Sequence, residues 1–102
     1  MRMHTSLALL ACALAPVAAQ AQDALLARNL AATCANCHGT NGQARGDSTP
    51  LAGLPAPQII AALAAFKRGD RPATVMHQIA KGYSDAQIQL VAGYLAAQAV
   101  RQ

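Results

Sequence analysis

The sequence predicts an all-α domain, and three observations carry that expectation. Apolar residues recur at three- and four-residue spacing along several stretches. No stretch alternates apolar with polar residues in the manner of a half-buried strand. Most glycines and prolines fall between the periodic stretches, Gly93 in the last one being the exception. A chain of 102 residues holds one domain at most.

The elements follow in order. Met1-Arg2-Met3-His4 carries positive charge, an apolar run extends from Leu7 to Ala15, and Ala19-Gln20-Ala21 has the small-x-small form of a signal-peptidase site. Residues 1–21 are therefore expected to be a signal peptide cleaved after Ala21, leaving 22–102 as the single folded domain. The run is too short and alanine-rich for a membrane span. Leu9-Leu10-Ala11-Cys12 loosely resembles a lipoprotein box, but processing there would leave an apolar tail exposed, so Cys12 is read as an apolar leader residue. Asp23 can serve as N-cap or first-turn acid of a helix reaching Thr33, with Leu26, Ala27, Leu30 and Thr33 at helical spacing. Gly39 ends that segment, and residues 40–50 form a Gly-, Asn- and Ser-rich loop, followed by the irregular Leu51-Ala52-Gly53-Leu54-Pro55. Pro57 suits the first position of a helix whose apolar face is Ile59, Ile60, Leu63, Ala64 and Phe66 and which stops at Gly69. Val75, Met76, Ile79 and Ala80 mark a short helix ending at Gly82. Ser84-Asp85-Ala86-Gln87 has the form of a capping box, opening a helix with Ile88, Val91, Ala92, Leu95 and Ala99 on one face.

The chemistry is concentrated in Cys34-Ala35-Asn36-Cys37-His38. Two cysteines three apart share one face of a helical turn, and a histidine follows at once. This C-x-x-C-H spacing lets two thiols bond covalently to the vinyl groups of one haem c while the imidazole reaches its iron. Zinc wants four ligands, and residues 22–102 offer no third cysteine and one further histidine, His77. A thioredoxin-like pair would follow a strand, and no strand pattern precedes the motif. The iron then needs a sixth ligand or keeps an open site. Met76 is the only methionine in residues 22–102 and His77 adjoins it. A lone histidine is more often solvated or packed, and a thioether beside a bound haem is the better partner, so Met76 is favoured over His77.

Residues 22–102 carry seven basic groups against four acids, a net charge of +3 that is too small and scattered to indicate nucleic acid. Lys67, Arg68, Arg71 and Lys81 flank Met76 in sequence; they either frame a docking edge or form an ordinary charged surface. Phe66, Tyr83 and Tyr94 are the only aromatics of the chain. A domain of this size buries roughly 60% of its unfolded surface and is marginal without a staple, so the haem is expected to complete the core and the haem-free chain to be largely unfolded.

The helix preceding Cys34-Ala35-Asn36-Cys37-His38-Gly39, the loop with Asn41-Gly42, the Pro50-Leu51-Ala52-Gly53 segment, the later Met76 and the C-terminal helix together resemble a class I cytochrome c. The stretch from Thr74 to Asp85 is similar to the distal-methionine region of the cytochrome subunits of flavocytochrome c sulfide dehydrogenases, and shares features with small c4 and c553 cytochromes. The resemblance implies a class I fold of about four short helices around one covalently bound haem. It implies Cys34 and Cys37 as thioether links, His38 and Met76 as axial ligands, and the Pro50 carbonyl as acceptor for the non-ligating nitrogen of His38. Arg45, Arg71 and Tyr83 are candidate propionate partners. The implied role is periplasmic one-electron transfer, with a sulfide-oxidising flavoprotein as expected partner and a possible heterodimer as the assembly. A free soluble carrier is the alternative. An enzyme or gas sensor with an open sixth position, or a thiol module without haem, is a more distant one.

Overall fold

The computed structural model describes residues 20–101. Cys12 and all but the last two residues of the expected leader lie outside the described residues. The all-α expectation holds: the described residues contain helices, turns and bends and no strand.

Helix α1 occupies residues 20–31 and passes through a 3₁₀ turn, Ala32–Cys34, into a short α2, Ala35–His38. Ala31, Cys34 and Ala35 all keep right-handed helical backbone angles, so the three pieces form one helical run. Asp23 lies within this helix rather than capping it, because helical backbone already covers residues 20–22. Helix α3 spans Ala56–Arg68, α4 spans Met76–Lys81 and α5 spans Asp85–Ala96.

The ends of these helices follow from local chemistry. Pro57 sits one position later than expected, at the second helical residue, because Pro55 takes the N-cap with an extended backbone. Either early position suits proline, whose missing N–H has no intrahelical partner there. Gly69 closes α3 in the left-handed conformation (φ 82°), donating to the Ala65 and Phe66 carbonyls. Both halves of the capping box form at α5: the Gln87 N–H donates to Ser84 Oγ (3.1 Å) and the Ser84 N–H to Gln87 Oε1 (2.9 Å). Ala99 does not extend the α5 face. The helix ends at Ala96 because its last carbonyls are taken elsewhere: Tyr94 O by the Gln98 side chain (2.8 Å) and Leu95 O by the Gly53 N–H (2.9 Å).

Helix α3 packs against both α4 and α5. Ile59 of α3, Ala31 of α1 and Val91, Ala92 and Leu95 of α5 form the buried cluster, with Leu30, Cys34, Leu51, Leu63, Tyr83 and Tyr94 packed against it. On α1 the buried positions are Ala27 and Ala31, whereas Leu26 is left 46% exposed and Thr33 is exposed. The predicted face is thus rotated towards the small residues, which let helices approach closely. Among the described residues, five of the nine buried apolar residues are alanines, and Leu95 is the one large side chain under 2% exposed. Such a core removes little apolar area from water, and each alanine contributes a fraction of what a buried leucine does.

Candidate functional site

The C-x-x-C-H segment lies where α1 turns into α2. Its helical backbone places Cys34 half-buried against the core and Cys37 exposed, and both thiols are free. Burial pushes the Cys34 thiol above the ordinary thiol range, opposed by a weaker backbone hydrogen bond.

His38 ends α2 with a settled tautomer. Its Nδ1 lies 2.7 Å from the Thr49 carbonyl oxygen. A carbonyl can only accept, so the proton is on Nδ1 and the lone pair on Nε2 is available to a metal. The acceptor is one residue earlier than the expected Pro50 carbonyl. Pro50 accounts for the shift: the residue before a proline is confined to extended backbone, and that restriction falls on Thr49. Thr49, the residue before Pro50, is thus the acceptor.

The loop carrying Thr49 is braced from several sides. Gly39 and Gly42 have positive φ (79° and 73°), and Asn41 adopts the left-handed region at φ 55°. A Cβ on Gly39 would fall 1.9 Å from the Gln43 carbonyl oxygen, so the close approach of these strands of loop requires glycine. The Gly42 carbonyl accepts from both Leu51 N (3.0 Å) and Ala52 N (3.1 Å). Tyr94 of α5 donates to Asn41 Oδ1 (2.6 Å), and the Gln43 side chain bonds the Ala99 carbonyl and the Arg101 N–H. Gln43 and Asn41 were not singled out by sequence reasoning as braces. Their partners lie more than fifty residues away, and nothing local in the sequence marks them.

Met76 opens α4 and is half-buried, and His77 beside it is also half-buried. The apolar neighbours of Met76 on this segment lack cover: Val75 is 53% exposed and Ile79 42%. Tyr83 ties the segment to the attachment motif. Its hydroxyl donates to the Leu30 carbonyl (3.2 Å) and pairs with Thr33 Oγ1, while its own carbonyl accepts from Lys67 Nζ. Of the candidate propionate partners, Tyr83 is thus engaged, Arg71 stacks 4.8 Å above the Phe66 ring and Arg45 is exposed.

The donor set fits haem c. Two free thiols stand at the attachment spacing, an imidazole presents a free Nε2, and a small core leaves Leu26, Val75 and Ile79 for a flat apolar group to cover. No group of three or more His, Cys, Asp or Glu side chains capable of holding a bare metal ion occurs among the described residues.

Comparison with known proteins agrees. A family model described as Cytochrome c matches residues 26–99. The cytochrome subunit of sulfide dehydrogenase from Chlorobaculum tepidum is 42% identical over 65 residues, covering 64% of this chain and 59% of that protein. Cytochrome c-554(548) of Halomonas halodenitrificans is 34% identical over 82 residues, covering 76% of this chain and 99% of that protein. Among solved structures, cytochrome c4 of Acidithiobacillus ferrooxidans matches with a TM-score of 0.60 and 44% identity, over 63% of this chain and 38% of that one. The chain thus spans somewhat less than two thirds of the sulfide dehydrogenase subunit and little more than a third of the c4 protein. No helix among the described residues is long and apolar enough to cross a membrane.

Proposed function

The chain belongs to the cytochrome c family of electron-transfer proteins, and from that premise we propose that it is a periplasmic one-electron carrier with His38 and Met76 as axial ligands. Haem c, the covalent cofactor of the family, supplies the ferric–ferrous couple when bound through Cys34 and Cys37. The observation that carries this reading is the His38–Thr49 bond at 2.7 Å, which leaves Nε2 as the free donor immediately after the two thiols. The same bond orients the imidazole and raises its basicity. Met76 supplies a soft, neutral thioether, which favours the ferrous state and raises the reduction potential relative to a second imidazole. With haem c bound, His38 and Met76 would be the two protein ligands of its iron, and oxygen or peroxide would then find no free position. Val75 (53% exposed) and Ile79 (42%) offer apolar surface that a bound haem would cover. Export is supported by the leader-like composition of residues 1–21.

We propose further that the electron donor is a sulfide-oxidising flavoprotein, with this chain as its cytochrome subunit. The likeness to the Chlorobaculum protein and the Thr74–Asp85 stretch support it. A free soluble carrier is the second reading, favoured by the near-complete coverage of the Halomonas cytochrome. Purification from the periplasm of a host that matures c-type cytochromes separates the two. A tightly held flavin-containing chain marks the subunit, and a lone cytochrome marks the carrier. Pigment extracted from the denatured polypeptide by acidified organic solvent would refute covalent attachment, and avid binding of carbon monoxide by the ferrous protein would refute the filled sixth position.

A further inference from the structure

A second site lies between the end of α3 and α4. A cavity of about 290 Å³ is lined there by Phe66, Lys67, Arg68, Arg71, His77 and Lys81, among others, and no carboxylate lines it. That volume holds roughly ten waters, at the lower end of the range of small-molecule sites. We propose that this cavity binds a small, doubly charged oxyanion of the sulfate or hydrogenphosphate type.

Three observations carry the assignment. His77 Nδ1 is buried and has no hydrogen-bond partner, the one such side-chain atom among the described residues. Buried polar nitrogens in native proteins ordinarily have a partner. The cavity also holds charge that the protein does not neutralise. Lys67 reaches Asp85 at 3.5 Å and Arg68 bonds Asp70 at 2.8 Å, whereas Arg71 and Lys81 have no carboxylate partner among the described residues. Finally, Arg71 is already positioned: its guanidinium rests 4.8 Å over the Phe66 ring, which lowers the entropy lost when it forks onto an anion.

Water would satisfy the histidine and solvate the exposed Arg71 and Lys81, but it gives neither charge a fixed partner. An oxyanion satisfies both, taking the Nδ1–H of the neutral Nδ1-protonated tautomer and the donors of Arg71 and Lys81. The partial negative charge at the end of α3 opposes this, but it is blunted because Gly69 N and Asp70 N already take the Phe66 (3.2 Å) and Ala65 (2.9 Å) carbonyls. A haem propionate offers the same carboxylate chemistry from within the protein, so the test uses the haem-loaded chain.

The reduced holoprotein is titrated with inorganic phosphate at constant ionic strength held by sodium chloride, following backbone amides and the His77 ring nitrogens by NMR. The site predicts saturable one-to-one shifts centred on Arg71 and His77, with Nδ1 moving towards a hydrogen-bonded position. Arg71→Ala weakens binding about tenfold, the equivalent of one charge-assisted hydrogen bond, and Arg71→Lys restores part of it. Lys81→Gln, at an exposed position that folding does not need, weakens it several-fold. Shifts that never saturate, or that chloride reproduces at equal ionic strength, would overturn the proposal. So would a His77 Nδ1 already hydrogen-bonded and unresponsive to phosphate, since a propionate then fills the cavity.

Discussion

The two sides of the haem site are built differently. The attachment side, from Cys34 to Gly53, is held by its own backbone: the Gly42 carbonyl takes two N–H groups, Thr49 fixes His38, and Gln43 and Asn41 fasten the loop to residues 94–101. The distal side, from Arg71 to Ile79, has no such bracing. Residues 70–75 are all exposed, and Val75 and Ile79 present apolar surface with nothing over it. Helix α4, at six residues, is far below the length that is stable alone in water. The attachment side is thus preorganised for the cofactor, while the distal side packs on α3 through the buried Ala80 and leaves Val75 and Ile79 for the cofactor to cover. The proposed Met76 ligand suits this division, since a thioether side chain is flexible and adapts to its surroundings.

The largest predicted effect breaks the comparison at its root. A Cys34→Ser/Cys37→Ser chain, unable to attach haem, should lose cooperative thermal unfolding altogether, because five alanines among nine buried residues cannot sustain the fold. A native-like transition in that chain would show that the distal side stands without the cofactor. Next in size is Gly39→Ala. The new Cβ would lie 1.9 Å from the Gln43 carbonyl at a φ of 79°, so the loop must shift, and a loss of about 3 kcal/mol in denaturant unfolding of the holoprotein is expected. Tyr83→Phe cuts the tie between the two sides by removing the hydrogen bonds to Leu30 and Thr33. It should cost about 1 kcal/mol and raise amide exchange in α4 more than in residues 39–53. Equal rises on both sides would refute the asymmetry. The smallest effect belongs to Asp85→Asn, which removes a pairing with Lys67 at 3.5 Å in which the carboxylate is almost fully exposed. Its expected change in unfolding free energy is under about 0.5 kcal/mol.

The division also explains what the sequence made legible. Local codes read well: the capping box at Ser84, the left-handed stop at Gly69, the short helix beginning at Met76 and the attachment spacing all depend on neighbours in the chain. The α5 face was legible through Leu95 because its period is local, and failed at Ala99, where Gln98 and a distant Gly53 take up the helix carbonyls. The acceptor for His38 was misplaced by one residue. A resemblance locates the proline but not which of the two adjoining carbonyls turns inward. Asn41 and Gln43 were illegible for a related reason, since their roles exist only once α5 and the chain end fold back over the loop. The cavity beneath His77 likewise combines residues of two helices and the turn between them, and the sequence alone showed only scattered charge.

The central claim is that the braced side supplies a fixed imidazole and the unbraced side a thioether to one iron. Far-red absorption of the ferric holoprotein reports a sulfur–iron bond directly, compared among the natural chain, Met76→Ala and His77→Ala. The account predicts the band in the natural chain and in His77→Ala, and its loss with a lowered reduction potential in Met76→Ala. A band that survives in Met76→Ala, or one that vanishes in His77→Ala alone, would contradict it.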